Sequence, residues 1–128
     1  MYLDGDPGSM ASGIVTLSSG TNGIAIIDSS GLVQVSGVNS LIGGFGVRLG
    51  LTPITGPFIA EDAIRISTYG PTIDVSAGST GCNQSSGRWQ LFDYSLDTGG
   101  ALRGLTATFE YQCETIFPTL RGCVHFSQ

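Results

Sequence analysis

The chain has 128 residues, 41% of them hydrophobic and 12% charged, with a net charge of −5; this length fits one domain over residues 1–128, and the balance excludes the disordered class. Its positively charged side chains are Arg48, Arg65, Arg88, Arg103 and Arg121, which stand singly, and there is no lysine. That excludes the basic patch a nucleic-acid partner requires, argues against anionic membranes, and goes with apolar runs far below the roughly 18 residues of a membrane span.

The N-terminus, MYLDGDPGSM, has neither the basic region nor the apolar core of a secretory signal. Either a signal has been removed, or none was used, as for a protein that leaves its cell inside a virus particle. Asp4 and Asp6 alternate with glycine as in part of a calcium loop. The further ligands and closing Glu of an EF-hand are missing, and Asp-Gly with Asp-Pro-Gly is ordinary turn chemistry. No metal and no cofactor are expected.

Twenty glycines punctuate short β-branched runs, the pattern of many strands joined by tight turns. The predicted strands run Gly13–Ser18, Gly23–Ile27, Leu32–Val38, Gly44–Leu51, Ala63–Thr68, Thr72–Val75, Arg88–Tyr94, Leu102–Gln112 and Leu120–Phe126. Asp28-Ser29-Ser30-Gly31 predicts a hairpin turn between the second and third. In Gly44–Leu51, Phe45, Val47, Leu49 and Leu51 form one apolar face. Thr52–Pro57 and Tyr69–Pro71 read as proline-bearing loops inside the domain. Asp97-Thr98-Gly99-Gly100 turns a long late hairpin. In its second arm Leu105, Ala107, Phe109 and Tyr111 share one face, and Thr106, Thr108 and Glu110 the other. No stretch has helical spacing. The expected fold is an all-β, single-domain antiparallel β-sandwich, of jelly-roll or immunoglobulin-like type, with a barrel as the alternative.

Three cysteines are present. If the late hairpin pairs through its turn, its open end brings Cys82 near Cys113, and a disulfide there would lock that end. The competing reading is two reduced, buried thiols. Cys123 is then left over, either as a buried core residue of the last strand or as a thiol pairing with another subunit. Cysteine catalysis needs a base, and His125 is the one histidine, two residues along on the same strand face. No oxyanion signature accompanies the pair. Cys113, Cys123 and His125 form only a loose zinc trio. Glu61 with Asp62, and Glu110 with Glu114, lack a spacing that selects a glycosidase pair; Asp93 and Asp97 read as solvent-facing. Trp89, Phe92, Tyr94 and Tyr111 lie on the late hairpin. They are either core or, if exposed, a ligand-binding platform for sugar rings, with Trp89, Tyr94 and Tyr111 as its candidates.

GCNQSSGRWQLFDYS at 81–95, LTATFEYQCET at 105–115 and PTLRGCVHF at 118–126 resemble a family of small, β-rich, exported bacterial proteins of uncharacterised function. Its members read G-C-N, then G-R-F and a hairpin, then F-E-x-x-C, and close on L-x-G with an apolar strand. LDGDPGSMASG at 3–13 is similar to the family's early D/E-P-G-D-x-I-x-G segment, which makes Gly8 to Met10 part of the natural chain. The resemblance implies oxidising surroundings and adds support to a Cys82–Cys113 bridge. It carries no established activity and transfers no catalytic residue. The sequence departs from the family at Ser9, where relatives have Asp, at Cys123, and in the missing export signal.

Two function classes follow. The first is a non-enzymatic structural or assembly protein on the exterior of a particle: a phage virion component (capsid decoration, tail or fibre) or an extracellular filament subunit, acting as a homo-oligomer or bound to the particle. An apolar, weakly charged composition fits surface buried against neighbours. The second is an exported carbohydrate- or surface-binding module. An enzyme is a distant third.

Overall fold

A computed structural model describes residues 1–7, 13–16, 25–29, 32–39, 43–50, 58–64, 72–78, 81–114 and 118–127. The glycine-punctuated β-branched runs become ten strands: β1 (Tyr2–Gly5), β2 (Gly13–Thr16), β3 (Ala25–Ser29), β4 (Leu32–Asn39), β5 (Gly43–Gly50), β6 (Phe58–Ile64), β7 (Thr72–Ala77), β8 (Ser85–Leu96), β9 (Leu102–Cys113) and β10 (Leu120–Ser127). Among the described residues there is no helix, and none therefore long and apolar enough to cross a membrane.

The strands join in the order β2-β1-β10-β9-β8-β6-β7-β5-β4-β3. Every neighbouring pair is antiparallel except β6–β7, which touch in parallel at the single pair Ile64↔Thr72. At that seam the ladder divides into two antiparallel sheets, β2-β1-β10-β9-β8-β6 and β7-β5-β4-β3. Three side chains bind the first sheet to the backbone of β7. Trp89 Nε1 donates to Thr72 O at 3.2 Å, the Tyr111 hydroxyl to Val75 O at 3.4 Å, and the Ser85 hydroxyl to Ile73 O at 3.4 Å. Between the sheets lies one continuous apolar core, with Val35, Val47, Leu49, Ile73 and Val75 on one side and Leu3, Trp89, Leu91, Leu105, Phe109 and Val124 on the other. The fold is the expected all-β sandwich. The barrel alternative falls away, because β2 and β3 end the ladder without closing it.

The late hairpin is longer than its sequence pattern predicts, paired from Ser85↔Cys113 to Leu96↔Leu102. The expected faces of β9 hold: Leu105, Ala107, Phe109 and Tyr111 are buried, and Thr106, Thr108 and Glu110 lie on the other side, half-buried. Register shifts between Leu91 and Asp93, so Phe92 is an extra bulged residue and is exposed. The turn is organised by Asp97, whose carboxylate accepts from the amides of Gly99 and Ala101 at 2.8 and 2.9 Å. These bonds hold its pKa below the usual range. Gly100 supplies the positive φ of 83°.

Two strands depart from the expectation. β1 is formed by what reads as a turn-rich leader, captured between β10 and β2. β6 begins at Phe58, five residues before the predicted start, and bulges between Ala60 and Ala63. β3 and β4 pair with Ser29 opposite Leu32, so the predicted hairpin exists; its central Ser30 and Gly31 lie outside the described residues. So do Gly8 to Met10, Thr52–Pro57, residues 65–70 and the side chains of Glu61 and Asp62.

Candidate functional site

Successive strand residues point to opposite faces. Burial of Leu3, Trp89, Phe109 and Val124 in the core therefore sets their chain neighbours on the outer face of β1-β10-β9-β8. Strand register then aligns these neighbours into two rows. Asp4 lies opposite Arg121, Arg121 opposite Glu110, and Glu110 opposite Arg88. One step along, Tyr2 lies opposite Cys123, Cys123 opposite Thr108, and Thr108 opposite Gln90. The first row alternates acid and base across four strands, and the second is neutral. Together they line a groove of about 580 Å3.

The core side of the sheet allows close approach at Gly122. Gly122 has no side chain, and the Phe109 ring occupies the space where a Cβ would stand. The resulting contact seats β10 against β9 with Arg121 and Cys123 turned outward.

Ion pairs tie Arg88, Glu110 and Arg121 of the charged row together. Arg88 Nε donates to Glu110 Oε2 at 2.9 Å, and Arg121 Nε lies 3.6 Å from Glu110 Oε1. Arg121 Nη1 also reaches Asp6 Oδ1 at 3.4 Å. The hydrogen bond from Arg88, with the charges of both arginines, holds the Glu110 carboxyl below the ordinary glutamate range. Glu110 is therefore a carboxylate at neutral pH, suited to accepting hydrogen bonds and unsuited to general-acid work.

The predicted site residues are distributed as follows. Cys82 and Cys113 are bridged, with Cα atoms 5.5 Å apart, and both are buried. Cys82 precedes the first ladder pair by three residues, and the amide of Glu114 donates to Gln84 O at 2.8 Å beside it. Cys123 is a free, half-buried thiol. The core position expected for it is corrected: Gly122 and Val124 face the core, so Cys123 faces the groove. His125 shares that outer face, and its Nδ1 pairs with the Thr106 hydroxyl at 2.9 Å. The loose zinc trio is not assembled, since Cys113 is spent in the disulfide on the core side. Among the described residues no three His, Cys, Asp or Glu side chains converge as metal ligands, and Asp6 is ion-paired to Arg121.

Of the two readings of the hairpin aromatics, the core one holds for Trp89 and Tyr111. Trp89 and Tyr111 are each 1% exposed, and their polar tips are satisfied by β7 carbonyls, so neither can meet a ligand. Tyr94 packs half-buried against the core. Trp89 and Phe109 border the groove with their side chains buried in the core, and the exposed aromatic ring on it is Tyr2, 39% exposed. Sequence reasoning passed over it because it precedes a turn-forming segment. The available signal was the Tyr2-Leu3-Asp4 alternation, which is strand-like over only three residues.

Comparison of the chain with protein-family models, with curated proteins and with solved structures finds no match.

Proposed function

We propose that this protein is a non-catalytic binding module of an extracellular, oxidising setting, and that it holds its partner on the outer face of β1-β10-β9-β8. The observation that carries this reading is the groove itself. Its volume of about 580 Å3 lies in the range of ligand sites, and its charged side chains are pre-arranged by strand register rather than by mobile loops. Side chains locked on strands meet a ligand at low ordering cost. Glu110, kept ionised by Arg88 and Arg121, favours recognition over proton transfer. The Cys82–Cys113 disulfide is compatible with an oxidising compartment.

A second reading has its own support. β2 and β3 end the ladder, and among the described residues nothing pairs with their outer edges. Open edges are templates for strand addition. That favours the particle-exterior assembly role, as a phage decoration, tail or fibre protein or an extracellular filament subunit. Light scattering combined with hydrogen exchange on the disulfide-intact protein separates the two. A monomer whose groove strands become protected only when partner is added supports the binding module. A closed oligomer or filament with protection concentrated on β2 or β3 supports assembly, and one that buries the groove against another copy overturns the binding module.

A further inference from the structure

The groove's charge arrangement points to a ligand class. Its lining carries Asp4 and Glu110 against Arg88 and Arg121, two negative and two positive charges, so its formal charge is zero. Each charge also has an opposite charge on the neighbouring strand. An anionic ligand drawn to either arginine would sit beside a carboxylate, and a cation drawn to a carboxylate would sit beside a guanidinium. Like charges so placed repel. An apolar ligand fails for a different reason: it would strip water from four charged groups and return no hydrogen bonds.

A neutral molecule dense in hydroxyls meets neither obstacle. Each hydroxyl both donates and accepts. A pair of adjacent hydroxyls matches the two oxygens of a carboxylate or the fork of a guanidinium. The second row adds an amide at Gln90 and a hydroxyl at Thr108. At its end Tyr2 presents an exposed ring, a flat apolar surface for the C–H face of a sugar. The rows cross four strands at about 4.8 Å spacing, a track of roughly 14 Å, longer than one sugar ring.

We propose that the groove binds a neutral saccharide chain laid across β1-β10-β9-β8, with Tyr2 as its stacking platform and Asp4, Arg88, Gln90 and Glu110 as its hydrogen-bonding partners. This rests on the binding-module reading and names its ligand. The site differs from the Trp89, Tyr94 and Tyr111 platform that the sequence offers.

The test uses the full, disulfide-intact chain on an array of neutral saccharides (cello-, xylo- and chito-oligosaccharides) and acidic ones (oligogalacturonate, heparin), with calorimetry on any hit. Tyr2→Ala, Tyr2→Phe and Thr108→Arg are compared, each verified as folded by near-UV circular dichroism. The expected result is binding of a neutral saccharide that persists at high salt. It weakens at least about tenfold in Tyr2→Ala, survives in Tyr2→Phe, and is lost in Thr108→Arg, which fills the groove. Binding of acidic saccharides alone, abolished by salt, overturns the ligand class and leaves the groove as the binding face. Failure of every saccharide also overturns the ligand class. Neutral binding unchanged in Tyr2→Ala and Thr108→Arg overturns the groove, and with it the binding-module reading.

Discussion

The Cys82–Cys113 bridge closes a sequence separation of 31 residues, and its removal is the sharpest test of what stabilises this sandwich. In the chain-entropy account, a loop of that length takes about 3.7 kcal/mol of freedom from the unfolded chain at 25 °C. A 128-residue chain melting at roughly 2.1 cal/mol/K per residue has a melting entropy of about 0.27 kcal/mol/K. Dividing the first by the second gives a fall in Tm of about 14 °C. The assay is thermal and urea unfolding of the Cys123→Ser protein, oxidised and then reduced, beside Cys82→Ala/Cys113→Ala in the same background. Cys123→Ser prevents thiol exchange at a half-buried groove position. Reduction and double substitution should agree within about 1 kcal/mol, the extra cost of the alanines being two small cavities. Hydrogen exchange should rise first at the open end of the β8–β9 hairpin, at the Glu114 amide bonded to Gln84. The reasoning is refuted if the reduced protein melts within about 4 °C of the oxidised one, since loop closure would then not be what the bridge acts on.

Three further outcomes follow. Trp89, the sole tryptophan, should emit as a buried indole resistant to acrylamide quenching, and Trp89→Phe should cost about 2 kcal/mol through a cavity and the lost donor to Thr72 O; ready quenching in the folded state would contradict its burial. Gly122→Ala should destabilise by about 1–3 kcal/mol, because the added methyl overlaps the Phe109 ring; an unchanged urea midpoint would mean β10 shifts freely against β9. Glu110 has a depressed folded-state pKa, so its contribution is complete above the unfolded value of about 4.3 and is lost as pH falls through the folded value. With the side chain 39% exposed, screening keeps that contribution below about 1 kcal/mol. Glu110→Gln should flatten this part of the acid limb in urea titrations, and parallel curves below pH 5 would remove the ion pairs from the stability account.

The strand-and-turn character and the late hairpin are legible in local sequence. Leu105, Ala107, Phe109 and Tyr111 alternate with polar residues around an Asp-Thr-Gly-Gly turn, and both signals are local. The proximity of Cys82 and Cys113 follows from that hairpin, since pairing two arms through a known turn brings their far ends together, and the structure decides for the bridge over two reduced thiols. The bulge at Phe92 and the early start of β6 were not legible, because each depends on which strand lies alongside. β1 is the stronger case. Four residues before a Gly-Pro-rich turn have no strand identity of their own, and they acquire it by hydrogen bonding to β10, more than a hundred residues later in the chain. Tyr111 falls on the apolar face of β9 by alternation alone, but the faces of Trp89 and Tyr2 were undetermined, since their short runs do not say which side is wet. Trp89 and Tyr111 went inward, and Tyr2 stayed out. The groove belongs wholly to the tertiary structure. Asp6 and Arg121 stand 115 residues apart in the chain, and the order Asp4, Arg121, Glu110, Arg88 exists only in the register of four strands. Pairing between distant strands is set by the packing of the whole core, which no local pattern encodes.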